Sequence, residues 1–208
     1  MNRFLTLAAL LLVPLTASFA AESAPAQPTL LLEEKFEAPL SQEWSWGLGT
    51  WEAKDGVLRG FESGPRRHGP VKMRNLALHD AALECEFRLE GKATFAGIIF
   101  NGSQERGHIV HVVMGKDQLR ILANPKKGET VELLKEPFSL EAGAWHRVKI
   151  ELKGPAITVT LNGKVFTAEN PAIAEEKLTF GLGGDSGGPE GEKAGALEFR
   201  QLKISSNP

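Results

Sequence analysis

The chain has 208 residues, with 24 Lys and Arg against 26 Asp and Glu, 42% hydrophobic residues and one cysteine. Its charges are mixed along the length and form no basic stripe, which argues against nucleic acid as a partner. One cysteine excludes an internal disulfide, and the length suits a single domain with a sizeable core.

In chain order, Arg3, the apolar run Phe4 to Val13 (FLTLAALLLV) and Ser18-Phe19-Ala20 have the charge, length and small-x-small ending of a cleaved export signal. The run is short for a bilayer span. We therefore expect residues 1–20 to be removed and the mature protein to be exported, periplasmic or secreted, with no membrane contact after cleavage. Residues 21–28 (AESAPAQP) read as a linker and 29–208 as one domain.

The rest reads as strands. Thr50 to Phe61 (TWEAK-DG-VLRGF) is a hairpin turned at Asp55-Gly56, a dipeptide that accepts positive φ at both turn positions. Ala81 to Leu89 alternates, with Leu83, Cys85, Phe87 and Leu89 on one face and Glu84, Glu86 and Arg88 on the other. Cys85 is therefore expected in the core. ATFAGIIF, HIVHVVM and QLRILA follow. Trp145 to Leu152 puts His146, Val148, Ile150 and Leu152 on one face. AITVTL-NG-KVF is a second hairpin at Asn162-Gly163, and KLTFGL and ALEFRQLKI close the chain. No segment has the pattern of a three-turn helix. About a dozen short strands in this spacing predict an all-β sandwich or barrel. Gly183 to Gly195 reads as a surface loop, with Asp185, Glu190 and Glu192 as oxygen donors in a calcium-binding alternative.

Several residues could carry chemistry. On a regular strand His108 and His111, three apart, face opposite ways. His108 then shares a face with Val110, Val112 and Met114, His111 with Ile109 and Val113, and the two cannot ligate one metal unless a bulge changes the alternation. His111, mid-strand, is either a core histidine with a partner or a groove residue able to donate to sugar hydroxyls or act as a base. Glu84 and Glu86, two apart, have Cα atoms about 6.5–7 Å apart, within the range of glycosidase carboxylate pairs; the alternative is a solvated face balanced by Arg88. Trp46 or Trp51 could stack on a sugar ring, and in WSWGLGTW Trp44 and Trp46 would share a face if extended. Arg66, Arg67, His68 and Lys72 sit in or beside a Gly/Pro-marked loop that could close a groove, and Asn101 occupies a turn before the histidine strand. No zinc signature, phosphate-binding glycine loop or nucleophile elbow is present, so neither metal nor other cofactor is expected.

Three pieces taken together, WEAKDGVLRG, LECEFRLEGKATFAGIIFNG and WHRVKIE…LNGK…LEFRQLKI, resemble the 3-keto-disaccharide hydrolase domain family, within the concanavalin A-like lectin/glucanase (laminin-G-like) superfamily. The resemblance implies a concanavalin A-like jelly-roll sandwich of two antiparallel sheets, a glycan groove on the concave sheet, and cleavage of 3-keto-glycosides. It also matches Trp145 to a structural tryptophan. The chain departs from its relatives in places. The Glu-x-Asp-x-x-Glu strand of laminarinase-like glycosidases is missing. The Asn-Ser-Gly-Ile piece usual in the keto-sugar family reads Phe95-Ala96-Gly97-Ile98. The next strand, usually bearing acidic and amide side chains, reads HIVHVVM.

Two readings follow. In the first, an exported carbohydrate-active domain binds a glycan in a groove and, on the resemblance, hydrolyses 3-keto-glycosides. His111 would be base or hydroxyl donor, Glu86 or His68 would assist, and Trp46, Trp51, Arg66, Arg67, Lys72, Glu84, Arg88, Asn101 and His108 would contact substrate. In the second, the protein is a non-catalytic laminin-G-like glycan-binding, adhesion or scaffold module. Convergent titratable groups in the groove favour the enzyme, and a lining of Trp and amides alone favours the binder.

Overall fold

The alternation in Ala81–Gly91 does what its pattern requires: Leu83, Cys85, Phe87 and Leu89 are buried and Glu84 is exposed. Repeated along the chain, it gives two antiparallel sheets packed on one core, a jelly-roll sandwich. The computed structural model describes residues 27–63, 68–188 and 195–206. The expected signal segment, Arg66, Arg67, Glu190 and Glu192 lie outside them.

In chain order the strands are β1 (Leu30–Glu34), β2 (Trp46–Leu48), β3 (Thr50–Lys54), β4 (Val57–Phe61), β5 (Val71–Leu78), β6 (Ala81–Gly91), β7 (Phe95–Asn101), β8 (His108–Gly115), β9 (Gln118–Ala123), β10 (Val131–Pro137), β11 (His146–Lys153), β12 (Ala156–Leu161), β13 (Lys164–Glu169), β14 (Lys177–Asp185) and β15 (Gly195–Ser206). An eight-stranded sheet runs β13-β12-β11-β6-β15-β4-β3, with β1 also paired to β15. A seven-stranded sheet runs β10-β9-β8-β7-β14-β5-β2. The helical content among the described residues is one 3-10 turn, Pro171–Ala174, capped by the Asn170 side chain accepting from the Ala172 amide.

Both expected hairpins form, with φ of 52° and 81° at Asp55-Gly56 and 49° and 85° at Asn162-Gly163. The core between the sheets joins Leu83, Phe87, Val148 and Phe199 on one side to Ile98, Phe100, Val112 and Phe180 on the other. Truncating a buried phenylalanine here costs about 3–5 kcal/mol. Cys85 lies in this core, where burial pushes its thiol up to about 12, so it behaves as a small apolar side chain.

Two local expectations fail. Trp44 and Trp46 do not share a face, because the Trp44 amide donates to the Ser41 carbonyl in a turn and the strand starts only at Trp46. Trp44 enters the core against Phe36 and Phe180, while Trp46 stays exposed. The second failure is in β8. Phe100 pairs with Val110 but Asn101 pairs with His108, so Ile109 is an extra residue in the ladder. Ile109 and Val110 are both buried. The bulge reverses the alternation and brings His108 onto the same face as His111.

Candidate functional site

The outer face of the seven-stranded sheet carries a groove of about 620 Å³. Strand register places its side chains in rows across the sheet. One row holds His111 on β8, Ile99 on β7, Gly181 on β14, Met73 on β5 and Trp46 on β2, each paired with the next. On one side lies a polar row of His108, Asn101, Thr179 and Asn75. On the other lies an apolar row of Val113, Gly97, Gly183 and Val71, with Phe95 one step further along β7. Among the described residues, none that lines the groove is Asp, Glu, Lys or Arg.

The titratable groups of this groove are His68, His108 and His111. The His108 and His111 rings meet edge to face, with centroids 4.5 Å apart and planes at 88°. His108 Nδ1 donates to Asn101 Oδ1 at 2.7 Å, which fixes its tautomer and leaves Nε2 as an acceptor. His111 has no such anchor: its Nε2 is covered and has no hydrogen-bond partner. Burial, with His108 beside it, pushes His111 down to about 4, so the ring is neutral at pH 7. Burial also lowers His108, helped by the charge of His68. The result is a neutral imidazole in an uncharged, mostly apolar wall. A neutral imidazole there can accept a proton or a hydrogen bond.

Two clamps hold the walls. Arg106 donates to both carboxylate oxygens of Glu175, at 2.5 and 2.8 Å, and to the carbonyls of His108 at 2.9 Å and Asn124 at 2.7 Å. It ties the loop before β8 to the end of the 3-10 turn and fixes the backbone of His108. At the other side the Glu62 carboxylate accepts from the Gly69 amide at 2.5 Å, and the Glu62 amide donates to Ser186 Oγ at 2.9 Å. Gly69, at φ 80°, packs so closely on the Gly184 carbonyl that no Cβ fits. This seats His68 at the rim.

Of the residues singled out in the sequence, His111, His108, Asn101, His68 and Trp46 come together here. The others do not. Lys72 alternates away from Val71 and Met73 and pairs with Leu182, on the inner side of the sheet. Trp51 belongs to the other sheet, where its indole lies over Gly60 and stacks at 6.4 Å on Phe199, with its N–H donated to the Leu48 carbonyl. Glu84, Glu86 and Arg88 are on the outer face of the eight-stranded sheet. There Glu86 bonds Arg147 and Arg200, and Arg88 bonds Glu90 and Glu198. Glu86 is held below the usual carboxylate range by those two guanidiniums despite the opposing effect of its partial burial. It is a structural anion on the far side of the molecule from His111. Trp145 packs on the same face between Arg88 and Arg200, 4.7 and 4.1 Å from its ring. Asp185 spends its carboxylate on Thr94 and the Gly187 amide, and among the described residues no three His, Cys, Asp or Glu are placed to hold a metal.

Sequence reasoning missed Met73, Ile99, Phe95 and Thr179. Each looks like ordinary strand filling, and only pairing across β5, β14 and β7 puts them beside His111. Phe95 was visible as a departure from the family's Asn-Ser-Gly-Ile pattern and Gly97 as the glycine shared with it, but neither as part of an opening.

The profile of a family described as the 3-keto-alpha-glucoside-1,2-lyase-like domain matches residues 35–205. Comparison with curated proteins gives no match. Among solved structures, the carbohydrate-binding module CBM66 from Bacillus subtilis is similar at a TM-score of 0.60 and 14% identity, covering 76% of this chain and 92% of that one. A GlcNAcα1-4Gal-releasing endo-β-galactosidase from Clostridium perfringens gives 0.62 and 11%, covering 89% and 64%. A family 7 alginate lyase, A1-II′, gives 0.54 and 13%, covering 81% and 85%. At these identities the likeness is one of fold.

Proposed function

This chain belongs to the family of 3-keto-alpha-glucoside-1,2-lyase-like domains, and we propose that its groove binds 3-keto-glycosides and cleaves them by removing the proton beside the ketone. The observation that carries this reading is His111, a neutral histidine with an unpartnered nitrogen in a groove whose described lining has no carboxylate. Ordinary glycoside hydrolysis uses a pair of carboxyl groups, one of them an acid. The carboxylates that could form such a pair, Glu84 and Glu86, are on the other sheet. A ketone at C3 changes the demand, because it acidifies the C2–H bond.

The step balances without an external reagent. A ring nitrogen of His111 takes the C2 proton. The C2–H electron pair becomes the C1=C2 bond, and the aglycone leaves C1 with the C1–O pair. Addition of water across C1=C2 completes a net hydrolysis. Asn101, His108 and Thr179 are placed to bond sugar hydroxyls, and Trp46 to stack on the ring. With residues 1–20 acting as the expected export signal, this activity would lie outside the cytoplasm.

An NMR time course in D2O tests the proposal. Mature protein is mixed with 3-keto- and ordinary disaccharides, with His111→Gln as control. We expect deuterium at C2 and loss of the aglycone for keto-sugars alone, both abolished in the variant. Absence of both reactions, with saturation transfer to some sugar, would leave a glycan-binding module.

A further inference from the structure

The groove is divided chemically, and the division runs through His111. On the side of His108, Asn101 and Thr179 every row position is polar; Ser45, at the same end, donates to Asn75 at 3.1 Å. On the side of Val113, Gly97 and Val71 the row offers no polar side chain, and Phe95 extends the apolar surface. Successive same-face residues on a strand are about 6.5–7 Å apart. The polar and apolar rows are therefore about 13 Å apart, with His111 between them.

The apolar half is also open in one place. A Cβ on Gly183 would meet the Pro70 carbonyl at 2.8 Å, so that position is already covered. A Cβ on Gly97 would make only ordinary contacts, 3.6 Å to the Val112 carbonyl and 3.8 Å to that of Gly183. Gly97 is in ordinary strand conformation and needs no positive φ. Its missing side chain leaves a lane floored by backbone, with Val113 on the adjacent strand and Phe95 beside it. A flat ring fits such a lane, whereas sugar hydroxyls would find no partners in it.

We propose that the substrates are neutral glycosides whose leaving group is an apolar, aromatic alcohol: the keto-sugar lies on the polar row and the aromatic ring in the Gly97 lane. The inference rests on the keto-glycoside reading and deepens it. The absence of an acid agrees with it. Among the described residues the groove holds no carboxyl or ammonium group, and the rings of His108 and His111 are pushed toward their neutral forms by burial. A sugar alkoxide leaves poorly without a proton. A phenol ionises near 10, so a phenolate departs with the C1–O pair unaided and takes its proton from solvent. The described lining, which holds no Asp, Glu, Lys or Arg, likewise disfavours uronate, sulfated or phosphorylated substrates.

The test compares phenyl 3-keto-glucoside, methyl 3-keto-glucoside and a 3-keto-disaccharide on the wild-type protein and on Gly97→Val, whose side chain fills the lane. Aglycone release is followed by NMR and folding by circular dichroism. We expect kcat/KM to favour the phenyl glycoside over the disaccharide by at least about tenfold, and the phenyl-to-methyl preference to fall about tenfold in Gly97→Val. If Gly97→Val folds poorly, Gly97→Ala should lower the same preference about threefold. A disaccharide cleaved as well as the phenyl glycoside overturns this inference and leaves the keto-glycoside reading standing. A phenyl preference untouched by either Gly97 substitution overturns the lane. Failure to cleave any of the three overturns both readings.

Discussion

The two outer faces of this sandwich are built from the same alternating strands and end up chemically opposite. On the eight-stranded sheet a network of acidic and basic side chains pairs across the outer face. Glu198, 5% exposed, accepts from Arg59 at 2.9 Å and twice from Arg88; Glu86 holds Arg147 and Arg200; Trp145 fills the space between two guanidiniums. On the seven-stranded sheet the groove has no charged lining, and its central histidine lacks a partner. A face whose groups satisfy one another has nothing left to offer a ligand. Buried polar groups are ordinarily paired; among the described residues Arg74, His111 and Asn124 have buried side-chain atoms without a partner, and His111 is the one of the three that lines the groove.

The same contrast separates two histidines. His146 is buried, yet its Nε2 donates to the Glu141 carbonyl at 2.9 Å and its Nδ1 accepts from Asn162 at 2.8 Å. His111 has neither bond. His111→Gln should therefore lower turnover of a 3-keto-glycoside by at least about 10²-fold while leaving the melting temperature nearly unchanged, since general-base catalysis contributes about 10²–10⁴. His146→Gln should do the reverse, losing about 1–3 kcal/mol in urea unfolding with activity retained, because it strands buried partners. Equal loss of activity in both variants would erase the distinction.

Much of this was legible in the sequence, for a physical reason. Alternation and the Asp55-Gly56 and Asn162-Gly163 turns are local, so strands and hairpins could be read from neighbouring residues alone. What a strand lies against is not local. Glu84, Glu86 and Arg88 look like a carboxylate site until β11 and β15, which are distant in sequence, supply Arg147, Arg200 and Glu198. The bulge at Ile109 is set by the pairing of Asn101 with His108, and nothing in HIVHVVM announces it. That one extra residue turned two histidines expected on opposite faces into a contacting pair. Trp46 and Trp51 looked equivalent; Gly60, which receives the Trp51 ring, distinguishes them.

The paired face should fail as a structural unit and not as a site. Glu198→Ala leaves Arg59 and Arg88 without their shared anion. The carboxylate is nearly buried but both guanidiniums are about a third exposed, so we expect a loss of about 2–3 kcal/mol, below that of a fully buried pair. Urea midpoints measure it, and kcat/KM should stay within about twofold. A large activity loss without a stability loss would move the site to this sheet.

Acid separates the faces by a different route. His111 sits near 4 in the folded protein against about 6.5 unfolded. Below 6.5 the unfolded chain takes up a proton the folded one refuses, so the histidine's contribution to stability is intact above that pH and falls away down to about 4. The full shift corresponds to about 3 kcal/mol, and partial exposure reduces it to about 2. Glu86 and Glu175 are lowered, so their contributions are intact above the usual carboxylate range and are lost as the pH falls into and below it. Urea unfolding at pH 6.5 and 4.5 should show a drop that shrinks in His111→Gln, with the part due to His108 remaining. An unchanged drop would mean that His111 is not desolvated.

The smallest effect expected is at Trp46, and it bears on what the groove does with its exposed rim. The indole is 54% exposed and packs on little, so Trp46→Ala should leave stability within about 0.5 kcal/mol. A ring that stacks on a sugar contributes about 0.5–1.5 kcal/mol beyond its buried area. KM for a 3-keto-glycoside should then rise about threefold to tenfold with kcat little changed, the pattern of an interaction present equally in ground and transition states. A fall in kcat at constant KM would place the tryptophan nearer the bond being broken. The row it shares with Met73, Gly181, Ile99 and His111 would then be the axis of the reacting sugar rather than its edge.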